Sequence, residues 1–335
     1  MSSQSIGDIF PDTPIRPSFD SQVAPVLDAM GDDVWRFTTE SLPEMREMMI
    51  GGEPVDLTAG GAVRLEERQV PGPHGAPDIT LLILRPVVEG DSVRPAIYHL
   101  HPGGMVIGDR RNDTDLFLPY VADGSALVVS VEYRLAPEHP DPAPVEDCYA
   151  GLAWTAENAD TLGIDPDRLI IAGKSAGGGL AAGTALLARD RGFPQLSHQV
   201  LLCPMLDDRF ETHSSRMLDG EGVWDRNDNL FGWTALLGDR RGGPDVSPYA
   251  APARAADLTG LPRTYIDVGS VESFRDEALT YARRLSEAGV SVDLHMYAGG
   301  FHAYDGFAPH AAISRATAVA REEYIRRALK RCGDT

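Results

Sequence analysis

The chain has 335 residues, 43% hydrophobic and 24% charged: ample apolar material for a substantial core, and the wrong composition for a disordered or collagen-like polymer. Its 30 lysines and arginines face 50 aspartates and glutamates, and the resulting formal charge of -20 repels phosphate backbones and anionic lipid surfaces, so neither nucleic acid nor a membrane is an expected partner. Three scattered cysteines, Cys148, Cys203 and Cys332, make no disulfide framework and fit a reducing compartment.

The start of the chain lacks the basic region and apolar run of a secretory signal, and no stretch of about 18 apolar residues follows anywhere, so a cytoplasmic location is expected. Residues 1–60 mix proline, glycine and acids with two short amphipathic patterns and read as an appendage to the main body. In the second pattern Ser41 is expected to cap the amide of Glu44 reciprocally, with Leu42, Met45 and Met49 at helical spacing. These apolar residues either pack on the main body or form a substrate-facing lid.

From residue 63 onward, β-rich runs occur at 63–70, 79–85, 95–100, 126–131, 169–172, 199–203, 264–268 and 292–297. Several are unbroken apolar runs, the pattern of strands covered on both faces. Helical patterns over 145–158, 176–190, 272–288 and 313–329 alternate with the later runs. This rhythm predicts an α/β fold with a largely parallel sheet wrapped by helices. Residues 205–250, carrying Trp224, Phe231 and Trp233, are too many for one crossover helix and its loops and read as an insertion. Together with residues 1–60 it is expected to cap one end of a catalytic domain spanning 61–335.

Gly173-Lys174-Ser175-Ala176-Gly177 lies between a predicted strand and a predicted helix, the context that gives a G-x-S-x-G sequence chemical meaning. Small flanking residues permit a sharp, strained turn that exposes the Ser175 hydroxyl, and the following helix start offers free amides to negative charge. A serine hydroxyl needs a base, and the base needs an acid to hold its tautomer. His302, in the glycine-bearing loop after the last strand run, is the candidate base; His295 and His310 fit better as structural residues. Glu272, Asp276 and Asp267 compete as the acid. Position favours Glu272, at the loop end of its strand and the start of a predicted helix, with Asp276 bonding loop backbone instead. The glycines of His101-Pro102-Gly103-Gly104 allow close backbone approach, so the amides of Gly103, Gly104 and Ala176 are the candidate oxyanion donors. The spacing of His99 and His101 suggests a metal pair, but no acid or cysteine cluster accompanies them, and neither metal nor cofactor is expected.

These residues resemble the hormone-sensitive-lipase-like branch of the α/β-hydrolase esterases from about residue 63 to 330: the loop at His101, the stretch Tyr133-Arg134-Leu135-Ala136-Pro137-Glu138-His139-Pro140, the elbow through Gly178, the acid loop at Glu272 and the base at His302. The resemblance implies an eight-stranded, mostly parallel sheet with the second strand antiparallel, and a cap drawn from the amino terminus and an insertion. It also implies dimerisation through the last strand and its neighbouring helix. Pro102 stands where the family has its first loop glycine, but the family's donors are the second and third, matched by Gly103 and Gly104. Lys174, one of two lysines in the chain, stands where relatives usually carry aspartate. It either favours an anionic acyl substrate or points into solvent without a role.

The expected activity is hydrolysis of short to medium carboxylic esters through Ser175, His302 and Glu272, in an apolar pocket walled by Trp35, Met45, Met49, Met105, Trp224 and Trp233. The alternatives are a small-molecule receptor on the same scaffold, or an amidase or lactonase using the same residues.

Overall fold

The computed structural model describes residues 12–31, 36–51, 55–87 and 93–330; Trp35 and Cys332 lie outside them. Eight strands, β1 (Val63–Val70), β2 (Ile79–Pro86), β3 (Arg94–Leu100), β4 (Leu127–Glu132), β5 (Ile164–Lys174), β6 (His198–Leu202), β7 (Arg263–Gly269) and β8 (Val292–Tyr297), form one sheet in the order β1-β2-β4-β3-β5-β6-β7-β8. Only β2 runs against its neighbours. The family-like expectation of an antiparallel second strand is met.

Alternation along the central strands supplies two apolar layers. Leu169 and Ile171 of β5 join the layer containing Val145, Leu152 and Leu186, whereas Ile170 and Ala172 join the layer containing Tyr120, Tyr324 and Ile325. The first layer packs under α3 (Ala143–Glu157), α4 (Ala176–Arg191) and α6 (Arg275–Glu287), and the second under α7 (Ala312–Ala328). Because both faces are covered, β3 and β4 are buried almost end to end, which explains their unbroken apolar runs. β5 starts earlier than expected, at Ile164, where Arg94 pairs before a register shift. The Asp165-Pro166-Asp167 sequence reads locally as a turn, and it bulges out between the pairings of Ile164 with Arg94 and Leu169 with Ala96.

Two segments gather beyond the carboxyl ends of the strands. Residues 203–262, between β6 and β7, contain α5 (Arg226–Leu237), whose capping box is made by Asp225 and Asp228. The amino-terminal part contributes α1 (Ala24–Met30) and α2 (Leu42–Gly51). They meet through Phe37, whose amide donates to Asp228 at 3.1 Å and whose ring centroid lies 5.2 Å from that of Trp224. Ser41 does not make the expected bond to the Glu44 amide: its hydroxyl donates to the Arg36 carbonyl and accepts from the Thr38 amide, tying the helix to the chain before it. Among the described residues no helix is long and apolar enough to cross a membrane.

Candidate active site

β5 ends at Lys174 and α4 starts at Ala176, leaving Ser175 between them with φ 57° and ψ -123°, a strained conformation for a side chain with a Cβ. The flanking glycines make that turn sterically feasible. A Cβ on Gly173 would lie 2.1 Å from the Gly177 carbonyl oxygen, and one on Gly177 would lie 2.1 Å from that of Leu100. The elbow is therefore pressed against the end of β3. The Ser175 amide donates to Leu202 at 2.8 Å and its carbonyl accepts from Met205 at 3.0 Å, so β6 holds the turn from the other side.

His302 enters from the loop after β8. Its Nε2 lies 2.9 Å from Ser175 Oγ and its Nδ1 3.2 Å from Glu272 Oε1. The second Glu272 oxygen accepts from the Gly269 amide at 3.0 Å, and the whole side chain is buried. Glu272 sits in the turn after β7, three residues ahead of α6, rather than at the helix start expected for it. The loops carrying Glu272 and His302 are stitched back to back: Val271 donates to Gly300 at 2.9 Å, and a Cβ on Gly269 would lie 2.2 Å from the Gly300 oxygen. Phe274 packs edge-on to the imidazole, 5.1 Å between centroids. The other two carboxylates have different partners. Asp276 accepts from the Ser214 amide and Arg275, and Asp267 from Arg321.

Gly103 (φ 117°), Gly104 (φ 61°) and Met105 (φ 64°) turn the chain past the serine. The amides of Gly103, Gly104 and Ala176 have no acceptor among the described residues. A Cβ on Gly104 would lie 2.3 Å from the Trp224 ring, which therefore covers this turn. The Tyr133 stretch supports the loop from below: Tyr133 donates to the His101 carbonyl at 2.8 Å, its ring stacks on the imidazole at 4.0 Å, and the Ala136 amide holds Met105. Arg46 of α2 bonds the Val106 and Ala136 carbonyls and both oxygens of Glu138, whose carboxyl is held down at about 2, chiefly by that guanidinium.

Of the expected pocket residues, Met105 and Trp233 are fully buried, Met45 is buried in the core and Met49 packs against it, while Trp224 lies over Gly104; Trp35 is outside the described residues. Lys174 corrects its expectation. It neither points into solvent nor is free to attract an anionic acyl group, because it is buried with its ammonium 3.5 Å from Asp113 and 4.0 Å from Asp305. Burial alone would discharge it, but the two carboxylates outweigh that effect and hold it protonated.

His99 and His101 do not face a common ligand: one bonds Ser130, the other the Pro102 carbonyl. Among the described residues, Cys203, Glu272 and His302 are the group whose atoms lie close enough, within 4.8 Å, to hold a metal ion. The Cys203 thiol is pushed up by burial and by Glu272, so the thiolate a metal needs is disfavoured, and Glu272 already serves His302 and Gly269. Phe274, Arg46, Asp113, Asp305 and Arg321 escaped the reading of the sequence, and none sits in a motif. Cys203, at the end of a strand run, reads in the sequence as a buried apolar filler, and it is buried.

A serine, a ring nitrogen and a carboxylate aligned at the carboxyl edge of such a sheet mark the α/β-hydrolase architecture, and the comparisons agree. A family model described as alpha/beta hydrolase fold matches residues 97–306. "Carboxylesterase NlhH" of Mycobacterium tuberculosis is 37% identical over 258 residues, covering 73% of this chain and 77% of that protein. "Esterase LipI" of the same species is 32% identical, covering 88% and 90% respectively. The solved structure titled "Bacterial Heroin Esterase" superposes with a TM-score of 0.86 at 38% identity, covering 94% of this chain and 99% of that one. The chain belongs to the α/β-hydrolase fold family, in its hormone-sensitive-lipase-like branch of carboxylic-ester hydrolases.

Proposed function

We propose that the protein hydrolyses short to medium acyl esters through an acyl-serine intermediate. The observation that carries this is the continuous line from Ser175 Oγ to His302 Nε2, and from His302 Nδ1 to a buried Glu272. Ser175 Oγ bonds to the ester carbonyl carbon while its proton passes to His302. The oxyanion draws on the amides of Gly103, Gly104 and Ala176, each worth roughly 3–4 kcal/mol in systems of this type. The carbon–alkoxide bond then breaks and His302 returns the proton to the departing alcohol. Water repeats the sequence in reverse: its oxygen bonds to the acyl carbon, His302 takes a proton, and the Ser175–acyl bond breaks as that proton goes back to the serine. Glu272 stabilises the imidazolium throughout.

Trp224 over the oxyanion turn, with buried Met45 and Met105 nearby in the same core layer, supports a narrow apolar acyl site. The two buried free thiols, Cys148 and Cys203, support the cytoplasm as the working compartment. The open edge strand β8 exposes Leu294 and Met296, and α7 exposes Val319, which supports dimerisation along that edge. An organophosphonate is expected to add once, at Ser175, and Ser175→Ala to abolish both labelling and turnover. Labelling elsewhere, or turnover by the alanine variant, overturns the nucleophile. A series of 4-nitrophenyl esters is expected to peak at short or medium chains; a best substrate beyond about sixteen carbons rejects the narrow pocket.

A further inference from the structure

Next to the serine, the structure holds a chain of ions that is buried except at its Asp113 end. Lys174, the residue before Ser175, lies 3.5 Å from Asp113 and 4.0 Å from Asp305. Asp305 also pairs with Arg321, and Arg321 reaches back to Asp267 with Nε at 2.5 Å and Nη2 at 3.0 Å. Lys174, Arg321 and Asp267 are each less than a tenth exposed, and the carboxylate of Asp305 is a tenth exposed. None of the five groups touches the line formed by Ser175, His302 and Glu272.

The placement of these ions along the chain is what matters. Lys174 stands one residue from the nucleophile. Asp305 stands three residues beyond His302, in the single turn Tyr304–Phe307 that ends the histidine loop. Asp267 lies in β7, the strand leading to Glu272, and its carbonyl accepts from the Cys203 amide at 2.8 Å. Asp113 belongs to the excursion that follows Gly103 and Gly104 and has a left-handed φ of 59°. Arg321 comes from α7 and bonds both Asp267 and Asp305. A single network thus bridges the elbow, the base loop, the acid strand and the segment after the oxyanion turn, although no backbone hydrogen bond joins the elbow directly to the histidine loop among the described residues.

We propose that Lys174 is a positioning residue: through Asp305 it sets the distance between Ser175 and His302, and through Asp113 it couples the elbow to the oxyanion loop. This rests on the assignment of Ser175 and His302 as nucleophile and base. Removing the ammonium takes from Asp113 the ion-pair partner it has among the described residues and leaves Asp305 held only from the Arg321 side, so neither carboxylate is tied to the elbow any longer. The elbow and the histidine loop lose their shared anchor. A misplacement of about 1 Å between reacting groups costs on the order of 10²-fold in rate. The walls of the acyl site are made by other residues, so substrate affinity is unaffected.

The test compares Lys174→Met, Lys174→Arg and Asp305→Asn with the unaltered protein, using a short 4-nitrophenyl ester and counting active sites by phosphonate titration. Lys174→Met is expected to lower kcat per titratable serine on the order of 10²-fold with KM within about threefold, and Asp305→Asn to act in the same direction. Lys174→Arg keeps the charge and is expected to recover kcat to within about tenfold. A merely structural role would reduce the titratable fraction and leave kcat per site intact. That result, or Lys174→Met within about threefold of the original kcat, overturns the proposal. If Lys174→Met does not fold, Asp113→Asn decides, since it sits at the more exposed end and leaves the Arg321 bridges whole: a loss of about tenfold supports the coupling and no loss overturns it. Turnover by Ser175→Ala would instead refute the underlying assignment, independently of these variants.

Discussion

Replacing Glu272 by glutamine changes one charge and almost no volume, and the surroundings dictate how the amide must sit. One oxygen of Glu272 accepts from the buried Gly269 amide at 3.0 Å and the other faces His302 Nδ1 at 3.2 Å. Glutamine has a single carbonyl oxygen. Keeping the Gly269 bond turns the NH2 group toward Nδ1, and a donor there forces the ring proton onto Nε2, where the Ser175 proton has to be received. The flipped amide restores the tautomer but leaves the buried Gly269 amide unpaired, at about 1–3 kcal/mol, so the useful form is depleted roughly 5- to 150-fold. The neutral amide also forfeits its stabilisation of the imidazolium. By analogy with the aspartate-to-asparagine change in serine proteases, the combined loss is on the order of 10⁴ in kcat, or about 5 kcal/mol. The assay is kcat on a short 4-nitrophenyl ester, normalised to phosphonate-titratable sites, with Asp276→Asn as the comparison because Asp276 serves Ser214 and Arg275. Glu272→Gln within tenfold of the original, or Asp276→Asn losing as much, would refute the reasoning.

Gly104→Ala is expected to lower kcat by roughly 10²–10³-fold, the loss typical of one oxyanion donor, because the new Cβ would fall 2.3 Å from the Trp224 ring at a φ of 61°; phosphonylation of Ser175 at an unchanged rate would show that the turn tolerates a side chain. Asp228 joins α5 to the amino-terminal segment through the Phe37 amide, and burial, followed by the neighbouring Asp225, raises its carboxyl to about 7, while the Phe37 and Asp225 amides and Arg36 only partly oppose this. Since the folded value lies above the ordinary carboxylate range, the stability it contributes is complete below about pH 4 and is lost as pH rises through 7. The melting temperature of Asp228→Asn is therefore expected to gain on that of the unaltered protein between pH 5 and 8, and parallel curves in a thermal scan would contradict the assignment.

How much of this was written locally can be judged from particular elements. The strand runs at 63–70 and 292–297 coincide with β1 and β8, and the helix over 176–190 differs from α4 by one residue. The turn around Ser175 was legible because its strain is relieved by immediate neighbours, Gly173 and Gly177. The carboxylate that meets His302 was harder to read. Glu272, Asp276 and Asp267 are spaced within ten residues and differ in which backbone amide or arginine each meets, information absent from the spacing. The Ser41 cap failed for a related reason: its hydroxyl found the Arg36 carbonyl, and local pattern could not rank that bond against the one to Glu44.

By itself, the order of residues determined the layered α/β architecture, the elbow and the glycine turn, because apolar periodicity and left-handed backbone are constraints each residue imposes on its neighbours. Only the folded chain decided which carboxylate faces His302, that Lys174 is enclosed by Asp113 and Asp305, and that Arg321 of the last helix joins Asp305 to Asp267. Ion pairing in a desolvated interior depends on charges brought together from distant parts of the chain, and the free energy that selects each partner exists only once water has been excluded around all of them.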